Sequence, residues 1–202
     1  LHLCDRNLEE IKPVHITNAN FLVDVCMAAK FEGQSIKHYS EKYDAEYSSG
    51  SGHTTCTMLA RSFADIGDIV RGKDLYIRNK KKDKLDKNLK TIFGKIYEGL
   101  SRTATSGKKE EIEARYNGDK ENFYQLREDW WALNREDVWK AITCNADTGN
   151  AYFHATCGES RRPSQAQNQC RCPKTSGANA GKAGDNVSIV PTYFDYVPQY
   201  LR

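Results

Sequence analysis

No stretch of eighteen apolar residues occurs in this 202-residue chain, so nothing in it reads as a membrane-spanning helix. The best apolar run, Phe21 to Ala29, is short and is broken by Asp24. Enzyme signatures are missing too. There is no G-x-S-x-G elbow, no phosphate-binding P-loop, no H-E-x-x-H pair and no dinucleotide fingerprint. Gly50-Ser51-Gly52 lacks the following lysine that a phosphate loop needs. Apolar residues make up only 39% of the chain, which implies a large polar surface. The net charge is only +3, too small for the whole molecule to be steered to nucleic acid. No signal peptide is visible, and the chain starts at Leu1 without Met. It therefore reads as a piece of a longer protein, whose address its missing targeting signals do not give.

Cysteine is abundant. Seven cysteines, Cys4, Cys26, Cys56, Cys144, Cys157, Cys170 and Cys172, in so polar a chain point to a disulfide framework formed in an oxidising compartment. The odd count leaves one thiol over. Either its partner lies outside this sequence, or it is a free reactive thiol. Cys170 and Cys172 are too close to bridge each other without an awkward ring. Each is expected to pair with Cys144 or Cys157, pinning the intervening loop to the end of a preceding helix. A zinc alternative would use His154 with Cys157, Cys170 and Cys172, but the spacing is not that of a common zinc module, and neither metal nor cofactor is expected.

Periodicity supplies the helices. Leu59, Phe63, Ile66 and Val70 fall on one helical face. Gly67 lies within that helix and lowers its propensity by about 1 kcal/mol, so close packing is its expected reason. Leu85, Leu89, Ile92, Ile96 and Leu100 form a second stripe. Phe123, Leu126, Trp130 and Leu133, extended by Val138, Trp139 and Ile142, form a third. Stripes of this kind are stable only when packed together, so a helical bundle is predicted. The first 56 residues look irregular and cross-linked, with a short helix from Asn18 to Met27. Residues 47–53, 101–109 and 173–185 read as loops. Trp130 and Trp139 are expected in the core, and Trp131 at a partner or inter-subdomain contact. The adjacent acids Glu110-Glu111, Glu128-Asp129 and Glu136-Asp137 read as solvated faces, because neighbouring helical positions diverge by roughly 100°.

The strongest non-covalent signal is a basic run. Arg78, Lys80, Lys81, Lys82, Lys84, Lys87 and Lys90 stand against only Asp83 and Asp86. Such density attracts polyanions at long range and is weakened by salt. Aromatic residues for base stacking are not interleaved with it, so a sulfated glycosaminoglycan suits it better than nucleic acid. Arg161 and Arg162, or Lys108 and Lys109, could extend it. The plainer reading is a solvated helix start. Asn186-Val187-Ser188 is a glycosylation sequon.

Five blocks add a resemblance: Leu1-His2-Leu3-Cys4-Asp5-Arg6-Asn7-Leu8-Glu9; Cys56-Thr57-Met58-Leu59-Ala60-Arg61-Ser62-Phe63, running into Ala64-Asp65-Ile66-Gly67-Asp68-Ile69-Val70-Arg71-Gly72; Asp129-Trp130-Trp131-Ala132-Leu133-Asn134-Arg135-Glu136-Asp137-Val138-Trp139; Ala141-Ile142-Thr143-Cys144; and Pro191-Thr192-Tyr193-Phe194-Asp195-Tyr196-Val197-Pro198-Gln199-Tyr200-Leu201-Arg202. Together they resemble the Duffy-binding-like domain of the malaria parasite's variant erythrocyte-surface adhesins, in its alpha subtype. The resemblance implies a mainly α fold. Residues 1–56 would be part of an irregular disulfide-linked first subdomain and 57–202 a helical-bundle second subdomain, with the domain's start and third subdomain outside the chain. It also implies a non-enzymatic adhesion module on the extracellular face of the infected erythrocyte membrane, anchored by a distant segment. Its partners would be a host receptor, glycan or glycosaminoglycan, an adjacent cysteine-rich interdomain region, and host antibodies. Cytoadherence or rosetting would be its role, or else antigenic variation on a scaffold whose receptor contacts lie elsewhere.

Overall fold

The computed structural model describes residues 4, 6–13, 16–47, 53–74, 80–152, 154–157, 164–166, 168–173 and 189–202, except for the side chains of 43–47, 53–54 and 80–83. The expected loops at 47–53 and 173–185, and the sequon at 186–188, lie largely or wholly outside the described residues. The helices are α1 (Arg6–Glu9), α2 (Asn18–Tyr47), α3 (His53–Arg71), α4 (Lys80–Thr103), α5 (Ser106–Tyr116) and α6 (Tyr124–Ile142). Short 3₁₀ turns follow at Asn117–Asp119, Phe194–Tyr196 and Gln199–Leu201. Among the described residues the only β pairing is two isolated bridges, Cys157 with Ser164 and Asn168 with Arg171. None of these helices is long and apolar enough to cross a membrane.

The chain forms two compact units, residues 1–28 with 65–135 and residues 29–64 with 136–202. In the first, α1 packs on α4. Phe21, Phe93 and Trp130 form an aromatic cluster, with Phe21 4.7 Å from Trp130 and 5.4 Å from Phe93 between ring centroids. Leu85, Leu89, Ile92 and Ile96 of α4 are buried around it with Ile66 and Val70 of α3, as the periodicity predicts. Trp130 Nε1 donates to Asn18 Oδ1 at 2.6 Å, so the buried indole keeps its hydrogen bond. In the second unit Phe63 meets Trp139 edge-on at 5.0 Å, with Leu59, Val138 and Ile142 buried alongside. Gly33 is required there, because a Cβ would lie 2.0 Å from the Ile142 carbonyl oxygen.

Several sequence expectations need correction. The helix at Asn18 runs for thirty residues, not ten. Its inner positions Phe21, Val25, Ala29 and Ile36 are apolar, but Glu32 and Ser40 are polar and still buried. Ser62 Oγ donates to Glu32 Oε1 at 2.8 Å, and the Ser40 and Thr55 hydroxyls pair at 2.7 Å. Satisfied polar groups carry the stripe where the apolar pattern stops. The loop expected at 101–109 is reduced to a break at 104–105 between the end of α4 and the start of α5; the glutamates and lysines of α5 suit an exposed helix. Leu133 is 82% exposed and Leu100 39%, so both leave their stripes. Trp131 is fully buried, which removes it as a partner contact. It lies against Gly67, where a Cβ would come 2.8 Å from the indole. That is the close packing expected of this glycine.

Candidate functional site

The resemblance block that runs to Gly72 closes at the end of α3, and Arg127, two residues before the Asp129–Trp139 block, meets it there. The helix stops at Arg71, and Gly72 follows with φ of +72°. The Gly72 amide donates to the Ile69 carbonyl (3.2 Å) and the Lys73 amide to the Asp68 carbonyl (2.8 Å). This is a Schellman motif, which needs a left-handed residue at the first position past the helix. Carbonyls near a helix end have no partner within the helix. Here Arg127 of α6 supplies one: its Nε donates to Val70 O at 2.6 Å and its Nη2 to Ile69 O at 3.0 Å. The third nitrogen, Nη1, lies 3.3 Å from Asp86 Oδ1 of α4. Arg127 is fully buried, and burial lowers its pKa, opposed in part by Asp86. It remains a cation because arginine starts so high.

Around this cap the charges pair off. Arg71 is almost fully buried; its Nε donates to Gly67 O and its Nη2 to Asp68 Oδ1, each at 3.0 Å. Glu128 faces Arg71 Nη1 at 3.5 Å and also pairs with Lys73. Asp129 accepts from Arg115 Nε (2.6 Å) and Nη2 (2.7 Å), Tyr116 Oη (2.7 Å) and Gln125 Nε2 (3.2 Å). The Arg115 hydrogen bond holds the Asp129 carboxyl below its ordinary pKa, while burial raises that of Tyr116. Glu128 and Asp129 are therefore not a merely solvated face. They fasten α6 to α3 and α5 in the first unit.

The basic run begins α4. Arg78 lies outside the described residues, as do Arg161 and Arg162. Lys80, Lys81 and Lys82 form the first turn of the helix, and their side chains are not among those described. Lys84 and Lys87 are exposed, on the side of α4 away from buried Leu85, Leu89 and Ile92. Lys90 instead pairs with Asp86 Oδ2 at 3.1 Å. Lys84 and Lys87 thus stand as two exposed cations on a folded helix.

The cysteines link differently from the sequence expectation. Cys157 joins Cys172, but Cys170 joins Cys56 of α3, 114 residues away. Cys144 is exposed and belongs to neither bridge. Elimination within the last four cysteines failed because it did not admit a partner across so long a loop. Trp139 Nε1 donates to Cys170 O at 3.2 Å, so the bridge and the core position each other. The zinc alternative loses three thiolates, since Cys157, Cys170 and Cys172 are disulfide sulfurs. Cys4 and Cys26 are half-buried in the first unit.

Residues 1–202 match the family model described as the Duffy binding domain. This chain belongs to the Duffy binding domain family. Among solved structures it resembles the NTS-DBL1α1 domain of Plasmodium falciparum membrane protein 1 (PfEMP1) from the varO strain, with 37% identity and a TM-score of 0.70 over 99% of this chain and 40% of that one. It also resembles an ICAM-1-binding PfEMP1 DBLβ domain, with 31% identity and a TM-score of 0.60 over 72% of this chain and 33% of that one. A PfEMP1 DBLβ domain bound to human ICAM-1 matches with 34% identity and a TM-score of 0.57 over 79% of this chain and 33% of that one. The chain thus spans 40% of the first of these structures and 33% of the other two. A comparison with curated proteins gave no match. The mainly helical, disulfide-linked Duffy-binding-like fold expected from the blocks is the fold observed. Sequence reasoning missed Arg127 and Asp86. Arg127 falls four residues after Phe123 and three before Trp130, a core position of its helix, and a charge there was the available signal.

Proposed function

We propose that this Duffy-binding chain is a non-enzymatic adhesion module of a variant surface antigen, displayed on the extracellular face of infected erythrocytes and held there by a distant anchor. It engages a host glycosaminoglycan through the basic start of α4: Arg78, Lys80, Lys81, Lys82, Lys84 and Lys87, with Arg161 and Arg162 as helpers. The observation that carries this reading is the exposure of Lys84 and Lys87 on a helix whose opposite side is core. Residues 1–56 and 57–202 serve as parts of the first and second subdomains, and rosetting or cytoadherence is the outcome of binding. An adjacent cysteine-rich interdomain region and host antibodies are further partners.

A second reading has direct support. Two of the similar structures are DBLβ domains that bind ICAM-1, so a protein receptor is also a fitting partner, with this segment as scaffold and antigenic surface. Heparin retention separates the two. Changing Lys80, Lys81, Lys82 and Lys84 together to glutamate abolishes retention if the basic run is the contact. Unchanged retention rejects that assignment, and salt-insensitive binding to a receptor protein favours the second reading.

A further inference from the structure

α5 has little of its own to hold it together. It spans eleven residues, Ser106–Tyr116, fewer than an isolated helix needs in water. Its N-cap, Thr105, makes no side-chain capping bond, and its first turn carries Lys108 and Lys109 but no acid, the unfavourable sign for a helix N-terminus. A Cβ on Gly107 would meet nothing within 4 Å. Only Tyr116 is buried and Ile112 half-buried; the other residues of α5 are exposed. The contacts that fix the helix gather at its C-terminal end. Asp129 of α6 accepts from Arg115 Nε, Arg115 Nη2 and Tyr116 Oη. The Tyr116 ring stands edge-on to Tyr97 of α4, with centroids 6.5 Å apart. Just beyond α5, the Phe123 ring lies 6.1 Å from that of Tyr97, and Lys120 Nζ lies 5.6 Å over it. Phe123 has φ of +56°, a left-handed backbone that is strained for so bulky a residue.

We propose that residues 105–123, α5 and the corner after it, form a strap that is latched by Asp129 and opens as one unit, uncovering Tyr97. Two sets of forces oppose each other there. The hydrogen bonds to Asp129 and the ring contacts at Tyr97 hold the strap shut. The strain at Phe123, the unused N-cap and the two first-turn lysines favour opening. The latch itself sits on a firm element, since Leu126, Trp130 and Trp131 of α6 are buried. α4 is held independently by buried Leu89, Ile92, Phe93 and Ile96, so neither helix depends on α5. Opening bares Tyr97, Tyr116 and Phe123 together and releases Arg115 from its carboxylate. The closed strap is therefore an autoinhibitory cover: the aromatic surface it conceals is offered to solvent only in the open state.

Amide hydrogen exchange on the whole chain tests this, because it reads local opening segment by segment. In the native chain the amides of α5 exchange through an opening that leaves the middle of α4 and of α6 protected. Asp129→Asn speeds exchange in α5 by about tenfold and leaves α4 and α3 unchanged. Arg115→Gln, a change at an exposed position that removes two of the donors, gives the same pattern at about threefold. Protection of α5 equal to that of α4 and α6 in the native chain overturns the strap, and that arm needs no variant to fold. Faster exchange spread evenly over α3, α4, α5 and α6 in Asp129→Asn overturns it too, since Asp129 would then hold the whole unit. Unchanged exchange in α5 in both variants rejects Asp129 as the latch.

Discussion

Gly72 leaves open the space that the Arg127 guanidinium fills. A Cβ on Gly72 would lie 2.9 Å from both Cζ and Nη1 of the Arg127 guanidinium, and 2.9 Å from a Tyr124 ring carbon. The glycine lets the guanidinium come down onto the end of α3, and the guanidinium takes up the carbonyls exposed there. The end of the 56–72 block is thus one half of a structural device whose other half, Arg127, stands on the neighbouring helix just before the 129–139 block.

Gly72→Ala is expected to destabilise the chain by about 1–3 kcal/mol through the left-handed backbone alone, and further through displacement of Arg127. Arg127→Ala takes the donor from Val70 O, one of two donors from Ile69 O and one of two cations from Asp86, at a cost of about 1–3 kcal/mol for the unpaired carbonyl with the lost packing of the side chain added. Because the two share one contact, their effects do not add. Denaturant unfolding of both single variants and the double variant measures the shortfall, and additivity within about 0.5 kcal/mol contradicts the proposed contact.

The two disulfides differ in the length of chain they close. Loop-closure entropy assigns about 3 kcal/mol to the Cys157–Cys172 bridge and close to 5 kcal/mol to the Cys56–Cys170 bridge. Replacing Cys56 and Cys170 with serine therefore lowers the Tm more than replacing Cys157 and Cys172. Peptide mapping without reduction finds both cross-links, and a Cys144–Cys157 or Cys144–Cys170 cross-link would refute the pairing.

Asp129 sets an acid limb. Its folded pKa is depressed, chiefly by the Arg115 hydrogen bond. Its contribution is therefore complete above the ordinary aspartate value, about 4, and is lost as pH falls through the lower folded value. The stability difference between the native chain and Asp129→Asn should be constant near neutrality and shrink below about pH 4. A difference that grows on acidification would mean the carboxylate is not held by Arg115.

The parts legible in the sequence share a physical cause. Apolar side chains repeating on one helical face announce α3, α4 and most of α6, because burial of that face is what stabilises them. Most of α2 was hidden, since Glu32 and Ser40 sit where a leucine would have continued the pattern, and their hydrogen bonds to Ser62 and Thr55 are tertiary. Trp131 was misplaced for a related reason. It leaves the Trp130 stripe, yet a glycine on α3 opens a second buried face for it. The lysines of α4 could be read as a cluster, but the sequence could not tell that Lys90 is engaged by Asp86. Nor could it tell that Cys170 reaches back to α3.

If the outer lysines of α4 are the ligand contact, scaffold and binding surface are separable: the Gly72–Arg127 contact holds the fold, and those lysines hold the ligand. Tm and heparin retention, measured together on Gly72→Ala and on Lys84→Glu with Lys87→Glu, test this separation. The first variant should show a lowered Tm and keep its heparin binding below that Tm. The second should show an unchanged Tm and no binding. Heparin binding that survives reversal of both lysines, or that vanishes in folded Gly72→Ala, contradicts the separation.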